Sequence, residues 1–124
     1  MKREFDPEKK LYTLAILVQD IPGVLSQVAR LFARKGYNIV SIVTGGPDRP
    51  NTARLAISIL ADELMINQIA DQCRKLIPVL AVKILDEATS IQREFSLIKV
   101  RATDRNSRDE VIQMANIFRA NIID

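Results

Sequence analysis

Between Leu11 and Gln19 the chain reads LYTLAILVQ, a run with the period-two alternation of an extended strand. Tyr12, Leu14, Ile16 and Val18 fall on one face, and Leu11, Thr13, Ala15 and Leu17 on the other. Both faces are largely apolar, so the strand belongs in a sheet that is covered on both sides. Every other element has to be placed so that one of those faces is buried.

Asp20-Ile21-Pro22-Gly23 breaks the alternation with turn chemistry. Val24, Leu25, Val28, Leu31 and Phe32 then recur at helical spacing, with Gln27, Arg30, Arg34 and Lys35 on the other side. Lys35-Gly36 closes that helix with a cation at its negative end and a glycine cap. A β-branched strand follows from Asn38 to Thr44, and Gly45 to Asn51 is a loop on composition. Thr52 to Leu60 is a third strand, with Leu55, Ile57 and Ile59 on one face and Arg54, Ala56 and Ser58 on the other. A second helix begins near Asp62 or Glu63, carries the stripe Ile66, Ile69, Cys73 and Leu76, and is stopped by Pro78. Val79 to Leu85 is a fourth strand.

The order βαββαβ, with right-handed crossovers, predicts an α+β ferredoxin-like domain over residues 11–86: an antiparallel four-stranded sheet with two helices on one face. Leu11, Ala15 and Leu17 on the other face then need a cover, for which a second copy of the chain is the simplest candidate. Residues 87–94 form a polar linker. Residues 95–124 read as an incomplete second α+β domain: a strand from Phe95 to Arg101, a helix from Arg108 to Arg119 with Val111, Met114, Ala115 and Phe118 inward, and the start of a strand at Asn121 to Asp124. So short a unit lacks an independent core, so it either continues in a longer chain or packs on a neighbour. Met1 to Lys10 is a charged leader whose one aromatic, Phe5, is a candidate for clamping; it lacks the apolar centre of a signal peptide. With no apolar run of membrane-helix length, a soluble cytoplasmic protein without a membrane partner is expected.

Composition narrows the chemistry. The chain has no His, no Trp and one cysteine, Cys73. That excludes a Cys/His zinc site, Ser-His-Asp or Cys-His nucleophiles and a disulfide within one chain. Cys73 lies on the apolar stripe of the second helix and reads as core. Lys and Arg number 18 against 15 acids, a net charge of +3 from well-mixed signs, which is no signature of a nucleic-acid partner. RNA-recognition domains share this element order but stack bases on central-strand aromatics, and Thr52 to Leu60 has none. Acylphosphatase-like chemistry needs an arginine in the first loop, where this chain has an acid, Asp20. Gly45-Gly46 and Asp48-Arg49 form no phosphate-binding motif, and Arg101, Arg105 and Arg108 read as solvated surface.

The richest candidate site is Asp20-x-Pro22-Gly23-Val24-Leu25, where a strand end meets a helix N-terminus. Free backbone N–H groups and the helix dipole favour an anion such as a carboxylate there, and Gly23 has no side chain to block approach. Asp20 can cap the helix or accept from an ammonium group; Val24, Leu25 and Ile39 offer an apolar wall. Asn38, read as standing beside the same edge, can bond a ligand or satisfy backbone at a strand start. These features together suit a small amino acid, and an unliganded tight turn accounts for the same residues.

DIPGVL, followed by VARLF and GYNI, resembles an ACT domain, the amino-acid-sensing module of many metabolic enzymes. RLFARKGYNIVSI, KLIPVLAVKILDE and REFSLIKVRATDRNSRDEVIQMANIFRANIID are similar to the regulatory (small) subunit of acetolactate synthase, also called acetohydroxyacid synthase. The last phrase lies outside the ACT domain, and the resemblance runs from Leu11 to Asp124. It implies a non-catalytic homodimeric partner of a catalytic (large) subunit that holds thiamine diphosphate, Mg²⁺ and FAD, with no cofactor in this chain. It implies activation of that subunit and feedback inhibition by valine, leucine or isoleucine. Gly23, Val24 and Leu25 would offer backbone groups to the effector carboxylate, and Asn38 and Ile39 of the paired chain would hold its amino group and side chain. Where the family commonly has Asn, this chain has Asp20, which suits an ammonium group and repels a carboxylate. Family members also continue past Asp124 through further strands and a helix. A free-standing ACT-domain sensor and a purely structural dimer module are the alternatives.

Overall fold

A computed structural model describes residues 8–46 and 49–124. Phe5 and most of the charged leader lie outside the described residues, as do Pro47 and Asp48 of the glycine-rich loop. The chain divides into two units, residues 1–92 and 93–124.

In the first unit the elements are β1 (Lys10–Gln19), α1 (Val24–Lys35), β2 (Ile39–Gly45), β3 (Thr52–Ala61), α2 (Glu63–Arg74) and β4 (Val79–Asp86). They build one sheet in the order β2-β3-β1-β4 with every neighbouring pair antiparallel, the expected ferredoxin-like topology. The register sets what stands level with what. Gln19 pairs with Thr52 at one end of the β1–β3 ladder and Lys10 with Ala61 at the other. Ile39 pairs with Ile59, and Tyr12 with both Ile59 and Asp86, so the start of β2, the start of β1 and the end of β4 share one end of the sheet.

Alternation in β1 and β3 places Leu14, Ile16, Val18, Leu55, Ile57 and Ile59 under the helices, where all are buried. Val28, Leu31 and Phe32 of α1 and Ile66, Ile69, Ala70 and Cys73 of α2 close over them. Each large aliphatic buried here contributes about 1.5–3 kcal/mol relative to exposure. Phe32 meets Tyr37 edge to face, ring centres 6.0 Å apart. Leu25, placed on the inward stripe by its spacing, is instead 43% exposed, because it stands at the rim of the arc in the first turn. Leu76 lies past the end of α2 and is half-buried.

The caps follow local chemistry. Asp62 accepts from the Met65 N–H at 2.7 Å at the start of α2, and Gly36 (φ 72°) ends α1 with its N–H directed at the carbonyls of Ala33 and Phe32. On the sheet face away from the helices, Leu11, Thr13, Ala15 and Leu17 are half-buried, while Val43 and Leu60 are exposed. Thr13 and Ser58 share a hydroxyl hydrogen bond of 3.2 Å across its centre.

The second unit departs from expectation. Its helix, α3 (Arg105–Ile117), starts three residues earlier than its apolar spacing suggests, because Asp104 caps it by accepting from the Ser107 N–H at 2.6 Å. Phe95 to Arg101 carries no strand, and neither does Asn121 to Asp124. Alternating apolar residues make a strand only where a neighbour supplies a ladder. Met114 and Phe118 are exposed, Val111 and Ala115 half-buried, and no residue of this unit is buried. No helix among the described residues is long and apolar enough to cross a membrane.

Candidate functional site

The chain leaves β1 at Gln19, whose N–H donates to the Pro78 carbonyl at 2.8 Å, and Asp20 N–H donates to the Asn51 carbonyl at 2.9 Å. These bonds hold the end of β1 between the connections preceding β3 and β4. Val24 N–H reaches back to the Ile21 carbonyl at 3.3 Å, closing the turn over Pro22 and Gly23. Gly23 occupies the N-cap of α1 with φ 83°, a left-handed conformation that a β-carbon disfavours.

A glycine at this position provides no capping side chain, and Asp20 does not substitute for one: α1 has no side-chain cap. Gly23 accepts from Gln27 N–H at 3.0 Å, but among the described residues the N–H groups of Gly23, Leu25 and Ser26 have no acceptor. Asp20, Ile21, Pro22 and Gly23 are exposed around these donors, and Val24 is buried beneath them. The turn can therefore take an anion on backbone N–H groups at the positive end of a helix. Ser26 was not singled out by sequence pattern. The available signal was negative, the lack of Ser, Thr, Asp or Asn immediately before the helix.

The other half of the expected site is elsewhere. Asn38 precedes β2, and Ile39, level with Ile59, stands at the end of the sheet opposite Gln19 and Thr52. Asn38 therefore does not flank the Asp20–Leu25 turn within one chain, and Ile39 forms no wall with Val24 and Leu25. Strand pairing, which is long-range, decides this, and the spacing along the chain carries no record of it.

The groups whose ionisation the fold shifts lie away from the turn. Lys10 Nζ bonds Asp86 Oδ2 at 2.9 Å, which lowers the Asp86 carboxyl below its ordinary range and raises the Lys10 ammonium. Burial pushes the Cys73 thiol up to about 11, so it stays protonated and unreactive at neutral pH. Among the described residues no cluster of His, Cys, Asp and Glu could hold a metal ion.

Comparison with known proteins places this geometry. Residues 14–81 match the AHAS small subunit-like ACT domain, and residues 93–124 match the small subunit of acetolactate synthase. The acetolactate synthase small subunit of Mycobacterium bovis is 44% identical over 115 residues, covering 93% of this chain and 68% of that protein. The probable small subunit of Methanothermobacter thermautotrophicus is 40% identical over 121 residues, covering 98% and 71%. The crystal structure of the Thermotoga maritima small subunit superposes with a TM-score of 0.76 at 33% identity, covering 93% of this chain and 71% of that one. On matches that span both units, the chain belongs to the family of acetolactate synthase small subunits.

Proposed function

We propose that the chain, as a regulatory and non-catalytic subunit, binds the thiamine-diphosphate-dependent catalytic subunit of acetolactate synthase, raises its activity and confers feedback inhibition by valine or another branched-chain amino acid. Thiamine diphosphate, Mg²⁺ and FAD belong to the catalytic subunit. The effector carboxylate takes the N–H groups of Gly23, Leu25 and Ser26 beside Asp20 and Pro22, and its aliphatic chain lies along Val24 and Leu25. Asn38 and Ile39 of a second copy complete the site.

The observation that carries this reading is the register of β2, an edge strand. Its Gly45 end stands level with Arg54 near the Gly23 turn, and its Ile39 end stands level with Ile59 far from it. Two copies joined antiparallel through β2 bring the partner's Ile39 end beside the Gly45 end, and so beside the turn.

The test is a thermal-shift titration of the full chain with valine, leucine, isoleucine and unrelated amino acids, paired with analytical ultracentrifugation. A ligand held by the native state alone raises the melting temperature by mass action. Selective stabilisation of a dimer by a branched-chain amino acid supports the reading. A monomer at micromolar concentration, or equal response to every amino acid, refutes the shared site. Stimulation of purified catalytic subunit by the added chain tests the activation.

A further inference from the structure

α1 is charged with one sign only: Arg30, Arg34 and Lys35 lie on it and no acid does, whereas α2 carries Glu63 and Asp71 against Arg74. Beside α1, the turn between α2 and β4 presents Lys75, Leu76 and Ile77. Between them lies an open groove of about 330 Å³, floored by Leu31 and Leu76 and flanked by Arg30, Arg34 and Lys75, with no acid in its lining. Among the described residues these cations make no ion pair, and the nearby Asp71 is already taken by Arg74 at 2.8 Å. Ile77 at the rim is 94% exposed.

Helix-dipole complementarity accounts for Arg34 and Lys35 in the last turn of α1. It does not account for Arg30 in the middle of the helix, for Lys75 across the groove, or for an isoleucine left almost wholly in water. Unpaired cations around an apolar floor are complementary to a segment that carries carboxylates and an aliphatic side chain. We infer that this groove receives an acidic segment of the catalytic subunit, whose carboxylates meet Arg30, Arg34 and Lys75 while an apolar side chain packs on Leu76 and Ile77. The inference rests on the proposed docking to that subunit. It assigns the contact to the groove that Gln27 to Arg34 of α1 form with the α2–β4 turn, and not to the backbone donors at Gly23.

The experiment titrates the full chain against purified catalytic subunit at low and high salt, using the wild type, Arg30→Glu/Arg34→Glu, Lys75→Glu and Ile77→Ser. Wild-type affinity should fall about tenfold or more between roughly 50 and 300 mM NaCl, since exposed charges are screened over that range. The charge-reversed variants should bind about tenfold more weakly at low salt with a flatter salt dependence. Ile77→Ser should weaken binding and keep the wild-type salt slope. Lys75→Glu, outside any helix, keeps the test open if the double variant on α1 melts early. Variants that bind as the wild type does would overturn the groove assignment and leave the proposed function standing. A wild type that binds no catalytic subunit at any salt would overturn the function first, and this inference with it. Stabilisation of the wild type by inorganic pyrophosphate, absent in the variants and without effect on subunit binding, would make the groove a small-anion site and overturn the docking.

Discussion

Ile39 and Gln19 lie at opposite ends of the same sheet, Ile39 across from Ile59 and Gln19 across from Thr52. The distance is about 23 Å of strand, beyond the reach of a ligand the size of an amino acid. The proposed site, made of the Gly23 turn and Asn38–Ile39, would therefore be intermolecular, and the proposed two-fold pair of chains would hold two such sites.

That geometry predicts complementation. Gly23→Ala alone and Asn38→Ala alone should each lose the branched-chain response. Mixed and re-equilibrated, they form some dimers in which one site combines both changes and the other combines neither. About half of the dimers are then mixed, and a partial thermal response to valine should return. Absence of any recovery, with subunit exchange confirmed by mass, would count against the shared site.

Gly23 and Gly46 separate conformational cost from space. A β-carbon at either position meets no atom within 4 Å, but only Gly23 sits at positive φ. Gly23→Ala should cost about 1 kcal/mol, the penalty of the left-handed region for an L-residue, and Gly46→Ala should stay within about 0.5 kcal/mol of wild type. Urea unfolding of both variants reads the difference.

Leu64 and Phe32 test the core assignment in the same way. Phe32 is fully enclosed and packed edge to face against Tyr37, whereas Leu64 on the outer side of α2 is 71% exposed. Phe32→Ala should destabilise by about 3–5 kcal/mol, and Leu64→Ala by less than about 0.5 kcal/mol. Equal effects would mean that α1 does not cover the sheet as described.

Cys73 gives the chain an alkaline limit. Its thiol ionises near 9.0 when exposed and is pushed up to about 11 by burial in the fold. Between those values the folded state holds a proton that the unfolded state has lost. Stability is therefore complete below pH 9 and declines as pH rises toward 11, by an amount on the order of 2 kcal/mol. Cys73→Ala should remove that slope, which isolates it from the exposed Lys10–Asp86 pair. Denaturant midpoints at successive pH values measure it, and an unchanged slope in the variant would exclude the thiol as the cause.

The elements of the first unit were legible because period and punctuation agree locally. β1, α1 and β3 begin and end within a residue of where the alternation, Asp20, Gly23, Gly36 and Asp62 place them, whereas α2 starts after Asp62 as expected but ends at Arg74, before Leu76 and Pro78. The turn at Gly23 was legible for the same reason. Pairing was not: nothing along the chain says that Asn38 stands at the far end of the sheet from Asp20. The run FSLIKVR has the alternation of a strand, yet it is exposed and unpaired, since a ladder needs a second strand that spacing alone cannot supply. The early start of α3 was within reach, because Asp104 with Ser107 three residues on is a capping pattern that an apolar stripe beginning at Val111 conceals.

Asp20 offers the cleanest perturbation of the proposed effector site. Its backbone N–H is held by the Asn51 carbonyl, but its exposed side chain caps no helix and has no ion-pair partner among the described residues. Asp20→Asn therefore breaks no bond of the fold, and the melting temperature of the free chain should stay unchanged. What it does remove is a negative charge beside the backbone donors proposed to take the effector carboxylate. An exposed charge pair is worth up to about 1 kcal/mol, so branched-chain amino acid binding should tighten by up to about fivefold, most clearly at low salt. Calorimetric titration with valine decides between two roles for this residue. Tighter binding means that Asp20 faces the carboxylate. Weaker binding means that it holds the ammonium group, which would reverse the orientation of the effector in the turn.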